Sequence, residues 1–273
     1  MKNFINKILF KFFNLLIKIK IFRFIFFNIS DVVNSNIQTN DKIKIKFYIN
    51  NYLNKFRFDT ILSKEPDTID WIDNFNQNDI FFDIGANIGL FTCYAASKKI
   101  KTISFEPSVY NLELLAKNVY INKFNEIVTI VPLALNNNNI ISNFNLSNNL
   151  QGSALNSFGK EYGYDGKNLK IDSYYKTIGM TLDDCIKVFS LPSPDHLKID
   201  VDGIEHLILS GSLKTLTSIK SILIEISDDF LEQRNSCYKI LNDLNFKQIS
   251  KSNSKMFRGS KFENCYNQIW IKQ

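Results

Sequence analysis

Apolar and polar residues fall along most of the chain in blocks of two kinds. Short apolar runs occur at Asp79 to Ile84, Lys101 to Glu106, Ile127 to Leu133, His196 to Val201 and Lys220 to Ile226. Such runs, rich in β-branched residues and bounded by turn formers, predict strands. Longer segments separate them. Leu90 to Ser97 and Val109 to Asn122 predict helices, the second with Leu112, Leu115, Val119 and Ile121 on its apolar side. Thr181 to Val188 predicts a helix with Thr181 as its N-cap, and Phe230 to Leu244 predicts another. Phe246 to Ser250 and Asn267 to Lys272 read as late strands. Strands alternating with helices imply a parallel sheet covered on both faces, the α/β class. Residues 31–78 read as a helical lead-in, with a helix around Thr68 to Phe75 after Pro66. Residues 136–180 have no clear period and read as a long irregular segment of the kind that carries function.

Residues 1–30 stand apart. On a helix, Asn3, Lys7, Lys11, Asn14 and Lys18 form one polar stripe, and Ile5, Ile8, Leu9, Phe12, Leu16 and Ile19 fill the other side. The uncharged runs are far shorter than the ~20 residues that span a bilayer. Lysines interrupt the apolar stretch and no small-residue cleavage site follows, which argues against a signal peptide. The pattern predicts a basic amphipathic helix, docked peripherally on an anionic membrane from the cytoplasmic side. The competing reading is a helix that covers an apolar face of its own domain or of a second subunit in a homo-oligomer.

Composition narrows the field. With 45% hydrophobic and 22% charged residues, the chain is neither disordered nor a membrane bundle. The net charge of +6 is local: Lys2, Lys7, Lys11, Lys18, Lys20 and Arg23 precede the first acid, Asp31. The remaining 27 basic residues match the 27 acids, so the main domain has no field that attracts nucleic acid. Cys93, Cys185, Cys237 and Cys265 form no C-x-x-C pair and suit reduced thiols in the cytoplasm. Two histidines exclude a multi-histidine metal site, and no metal is expected.

The first chemical motif is Asp83-Ile84-Gly85-Ala86-Asn87-Ile88-Gly89. It closes a predicted strand and opens a predicted helix, the context of a nucleotide-binding turn. Glu106 ends the next strand, where a carboxylate accepts hydrogen bonds from ribose hydroxyls. The middle glycine of a dinucleotide turn is replaced by Asn87. Asp83 would repel a pyrophosphate but favours a cationic sulfonium and an amino group. The turn therefore points to S-adenosyl-L-methionine rather than NAD. An NAD-dependent oxidoreductase is the alternative, and a non-catalytic membrane-docked scaffold is the third reading. Intact Asp83, Glu106 and Asp200 argue against decay to a scaffold.

The second constellation is Leu197-Lys198-Ile199-Asp200-Val201-Asp202-Gly203-Ile204-Glu205-His206. In a strand, Lys198 and Asp200 share one face. Charges on a central strand need partners, so these two meet each other or Glu225 on the next strand. Asp200 ends its strand where α/β sheets bind ligands, which makes it the leading catalytic candidate. Lys198 sets its charge, and His206 is the second candidate base. Asp202 and Glu205 also match a helix capping box and stand open between caps and site. A divalent ion on Asp200 and Asp202 is chemically reasonable, but their spacing does not establish one.

In order along the chain come Glu65-Pro66, the turn from Asp83 to Gly89, Phe105-Glu106-Pro107 with Asn111, and Val131-Pro132-Leu133-Ala134. Gly152-Ser153, Thr181-Leu182-Asp183-Asp184, Lys198 to Gly203, Leu209 and Gly211 follow. This series resembles the FkbM-type family of S-adenosylmethionine-dependent methyltransferases. The resemblance implies a Rossmann-like class I methyltransferase fold, with a mostly parallel seven-stranded sheet ordered 3-2-1-4-5-7-6 and its last strand antiparallel. It implies S-adenosyl-L-methionine as cofactor, with Pro107 and Ala134 joining Asp83, Gly85, Asn87, Gly89 and Glu106 in holding it. It also implies O-methylation of a hydroxyl on a sugar, glycan precursor or secondary metabolite. Asp202 stands where the family most often has Glu, and Ile204 where it has a small residue, differences that bear on the acceptor pocket.

Overall fold

The computed structural model describes residues 2–16, 18–22, 24, 34–38 and 44–273. Helix α1 covers Lys2–Leu16. Strands β1 (Asn34–Gln38) and β2 (Lys44–Tyr48) pair antiparallel. Helices α2 (Tyr52–Lys64) and α3 (Pro66–Asp73) follow. Asn51 caps α2 by accepting the Asn54 amide at 2.8 Å, and Pro66 opens α3, where a missing N–H costs nothing. The 31–78 lead-in is thus not wholly helical: Ile45 and Phe47 alternate with exposed lysines on β2, a period of two that buries one face. Met1, Ile17, Arg23 and residues 25–33 lie outside the described residues. Among the described residues no helix is long and apolar enough to cross a membrane.

The body starts with β3 (Ile80–Ile84), α4 (Leu90–Ser97), β4 (Lys101–Phe105), α5 (Val109–Ile121) and β5 (Val128–Val131). Next come β6 (Ala134–Leu135), β7 (Ile140–Leu146), β8 (Ser157–Phe158), β9 (Ser173–Met180) and α6 (Leu182–Phe189). The chain ends with β10 (His196–Ile199), α7 (Glu205–Ser210), β11 (Ser221–Ser227), α8 (Leu231–Asp243), β12 (Phe246–Ser252) and β13 (Cys265–Lys272). Thr181 caps α6 as expected, its hydroxyl accepting the Asp184 amide at 3.0 Å.

Seven strands form the central sheet in the order β12-β13-β11-β10-β3-β4-β5. Counted among themselves from the β5 edge, they run 3-2-1-4-5-7-6. Only β13 is antiparallel to its neighbours. Phe82, Ile84, Leu197, Ile199, Ile222 and Ile224 point into one core layer, shared with Cys237 and Leu241 of α8. Phe81 and Leu223 point into the other, shared with Trp71 and Ile72 of α3, Cys93 and Ala95 of α4, and Ile45 and Phe47 of β2. The four cysteines are buried and unpaired.

The chain leaves β3 toward β4 on one side and returns as β10 on the other. The two connections diverge above the strand ends and open a crevice there, the usual ligand position in such sheets. Residues 136–180 are not irregular throughout. They build a second sheet, ordered β6-β9-β7-β8, in which β7 and β9 pair from Ile140↔Gly179 to Leu146↔Ser173. Its period was hidden because Tyr174 and Ile178 lie on the exposed face of β9. Residues 147–172, between these strands, reach the crevice.

Candidate active site

The turn after β3 is held by backbone contacts that only small residues permit. The amides of Gly85 and Ala86 both donate to the Phe105 carbonyl at 3.0 Å, tying the turn to β4. Gly85 has φ +82°, and a Cβ there would lie 2.0 Å from the Asp200 carbonyl oxygen. The ends of β3 and β10 therefore pack backbone against backbone. Gly89, at φ +83°, is the N-cap of α4, and a Cβ on it would strike Leu115 at 2.4 Å. Asn87 sits between them at φ +53°, a region asparagine tolerates.

Glu106 braces this turn from below. Its two carboxylate oxygens accept the Asn87 amide at 2.7 Å and the Ser108 amide at 2.8 Å. Burial pushes its pKa up to about 7, although both amide bonds favour the charge. The Asn87 and Asn111 side chains donate to the Ser153 carbonyl at 2.8 and 3.1 Å, and the Gly152 amide donates back to Asn111 at 2.8 Å. The Gly152-Ser153 segment is thereby fastened across the turn.

Asp83 lies beneath the turn and does not line the cavity above it. Thr92 donates its hydroxyl to Oδ2 at 2.6 Å, and Oδ1 is buried without a partner. Burial raises its pKa, opposed by Lys198, its register neighbour on β10.

The cavity has a volume of about 360 Å³ and opens at the C-terminal ends of β3, β10 and β11. Gly85, Asn87, Lys198, Asp200, Asp202 and Glu225 line its floor. Lys198 is 2% exposed at its side chain, and its Nζ donates to Asp200 Oδ2 at 2.7 Å; the Asp200 side chain is 28% exposed and reaches the opening. Nζ also lies 5.1 Å over the Phe91 ring. Burial disfavours the ammonium, yet Asp200, Asp83 and Glu65 raise its pKa above the ordinary lysine value. Burial likewise opposes the Asp200 charge, but Lys198, Lys64 and Arg57 outweigh it and keep the carboxylate ionised. Glu225 was a candidate partner for this pair. Its side chain makes no hydrogen bond among the described residues, and burial beside Asp200 and Asp202 raises its pKa well above the usual carboxylate range.

Asp202 and Glu205 are not the two halves of a helix cap. Asp202, at φ +64°, accepts the Leu155 amide at 2.7 Å and so holds the 147–172 segment over the cavity. Burial and Asp200 raise its pKa to about 6. Glu205 is buried, accepts the amides of Val201 at 3.1 Å and Gly203 at 3.0 Å, and receives a hydrogen bond from Gln233.

His206 is a correction: it neither faces solvent nor lines the cavity. It is buried on α7 with both ring nitrogens unpartnered, edge-on to Phe230 at 5.8 Å. Burial lowers its pKa and keeps it neutral. One helical step past Glu205 turns it toward α8 instead of the strand ends.

Pro107 and Ala134 line a second, apolar hollow that adjoins the other side of Gly85, together with Phe105, Leu133, Phe144 and Phe158. Sequence reasoning missed the upper wall of the main cavity. Arg57 and Lys64 of α2 face in, Arg57 anchored by donating to the Gly152 carbonyl at 2.6 Å and Lys64 to Glu65 at 2.8 Å. Tyr164, Phe257 and Phe262 close the rim. No local motif marks these residues; only Glu65 stood inside a recognised segment.

A mostly parallel Rossmann-like sheet, with a glycine turn and acidic strand ends at its switch point, defines a class I methyltransferase architecture. The methyltransferase FkbM domain family matches residues 83–249, more than half of the chain, and the chain belongs to that family. The hexuronic acid methyltransferase AglP of Haloferax volcanii is 24% identical over 158 residues, covering 55% of this chain and 56% of that protein. The chain thus spans about half the length of the curated relative it matches. Among solved structures, a methyltransferase FkbM from Methylobacillus flagellatus superposes over 72% of this chain and 44% of that one, at 15% identity and TM-score 0.48. A precorrin-6y C5,15-methyltransferase from Geobacter metallireducens superposes over 77% and 87%, at 14% identity and TM-score 0.43.

Proposed function

We propose that this protein uses S-adenosyl-L-methionine to O-methylate a hydroxyl of a sugar or glycan precursor. The carrying observation is Asp200, an ionised carboxylate held by buried Lys198 at the cavity floor, directly against the glycine turn. The cradle fits the cofactor. Gly85 and Asn87 line the cavity floor together with the carboxyl groups of Asp200 and Asp202, a donor set suited to a cation. Asp83 acts through the turn, and Gly85, Asn87 and Gly89 shape it. Glu106 retains lone pairs for two ribose hydroxyls. The hollow of Phe105, Pro107, Leu133 and Ala134 is apolar and adjoins Gly85, and at about 30 Å³ it has room for only a water or two. When bound, the cofactor supplies a methyl group on a sulfonium.

Asp200 then has two tasks. It orients the acceptor hydroxyl, and it receives the proton that the hydroxyl loses as its oxygen takes the methyl group. Lys198 is the positioning residue that keeps Asp200 charged and aimed. Leu155, held by Asp202, and the rim aromatics exclude water from the reacting groups. The curated relative, named for methylating a hexuronic acid, supports a sugar acceptor. Incubation of the protein with methyl-labelled S-adenosylmethionine and a pool of nucleotide sugars tests the reading. A labelled methyl ether on a sugar supports it; label transferred only to amines or to no sugar refutes it.

A further inference from the structure

Helix α1 exposes one broad face among its described side chains. Phe10, Lys11, Phe12, Asn14 and Leu15 are all exposed, and together they cover a little more than half of the helix circumference. A helix covering an apolar face of its own domain would bury one stripe. Instead the row Ile8, Phe12 and Leu15, at spacings of four and three, is 52%, 56% and 61% exposed. Ile19, Ile21 and Phe22, just beyond the helix, are exposed too. Beside this row run Lys11, Asn14 and Lys18.

We propose that α1 and the residues up to Phe22 dock the protein on an anionic lipid surface. Charge complementarity selects this occupant. Residues 1–30 carry six basic residues and no acid, while the rest of the chain is balanced. A second copy would bring two like-charged rows together, and lysine is depleted from protein interface cores. A bilayer accepts both halves of the pattern: Ile8, Phe12 and Leu15 enter the acyl boundary, and the lysines snorkel to anionic headgroups. At 15 residues, α1 is too short to span and suits lying in the interface. This proposal is independent of the methyl acceptor.

The test is co-sedimentation of the full chain with two kinds of vesicle, one of phosphatidylcholine alone and one of equal parts phosphatidylcholine and phosphatidylglycerol. The protein is expected on the mixed vesicles at low salt, with affinity falling about tenfold or more at high salt as the charges are screened. Ile8→Asp/Phe12→Asp should abolish binding, and Lys11→Glu/Lys18→Glu should abolish the preference for anionic vesicles. Both variants should melt like the wild type because the sites are exposed. Should a variant melt early, the salt series on the wild type still decides. No binding at low salt, or equal binding to both vesicles, overturns the proposal. So does a concentration-dependent dimer that both variants abolish while vesicles are ignored.

Discussion

Lys198, buried on β10, donates to Asp200 two residues further along the same strand at 2.7 Å, while Asp83 lies opposite Lys198 in the parallel register with β3. One ammonium thus serves two carboxylates, one sealed beneath the glycine turn and one facing the cavity. Among the described residues Asp200 forms an ion pair with Lys198 alone. The pair positions the site and is also part of the fold.

Removing the ammonium therefore damages stability as well as activity. Lys198→Met should cost about 3–5 kcal/mol, the range for breaking a buried ion pair by removing one partner. Asp200→Asn should cost less, because the ammonium keeps Asp83 and the Phe91 face. In a double-mutant cycle by urea unfolding, the double variant should lose less than the sum of the two. Additive losses would contradict the pairing.

Glu106 couples cofactor binding to pH. Its pKa of about 7 means that it loses its charge just below neutrality. The ionised form is the better acceptor for ribose hydroxyls, so affinity for S-adenosylmethionine should fall as pH drops through about 7. Glu106→Gln should bind about 1.5–3 kcal/mol more weakly, the range for hydrogen bonds to a charged group, with no such pH step. Calorimetric titration across neutral pH checks both, and an unchanged pH step in Glu106→Gln would assign the titration elsewhere.

At the opposite end of the sheet, His196 stacks on Phe75 at 3.7 Å and links Ser221 (2.7 Å) to Asp79 (3.0 Å). Burial lowers the His196 pKa despite Asp79. The unfolded chain then binds a proton that the folded chain refuses, so stability falls as pH drops below about 6.5. Asp79 is buried, yet bonds from Lys220, His196 and the Asn76 amide hold it below the usual carboxylate range. Its contribution is present above about 4 and lost as pH falls further. Urea midpoints should decline in two stages, and His196→Gln should flatten the first. A midpoint that rises on mild acidification would contradict this account.

Much of the fold was legible because its signals are local. The turn from Asp83 to Gly89, Glu106 just after β4, and the Lys198–Asp200 alternation are each confined to a few consecutive residues and obey strand and turn rules. The missed features depend on register and distant packing. Nothing near His206 in sequence shows that Phe230 covers it. Nothing near Asp202 shows that its carboxylate holds Leu155 instead of capping α7. The β7–β9 pairing escaped because exposed Tyr174 and Ile178 invert the usual pattern, and Arg57 and Lys64 reach the cavity from a helix without a motif.

The central claim is that Asp200 receives the acceptor proton in a cavity that holds S-adenosylmethionine. The most direct measurement is single-turnover methyl transfer to a nucleotide-sugar acceptor by Asp200→Asn, with cofactor affinity measured on the same sample. Transfer should fall by about 10²–10⁴-fold, the range for general-base catalysis, while affinity changes little. His206→Gln, as the control, should stay within a few fold of the wild type. Near-normal transfer by Asp200→Asn, or a comparable loss in His206→Gln, would contradict the account.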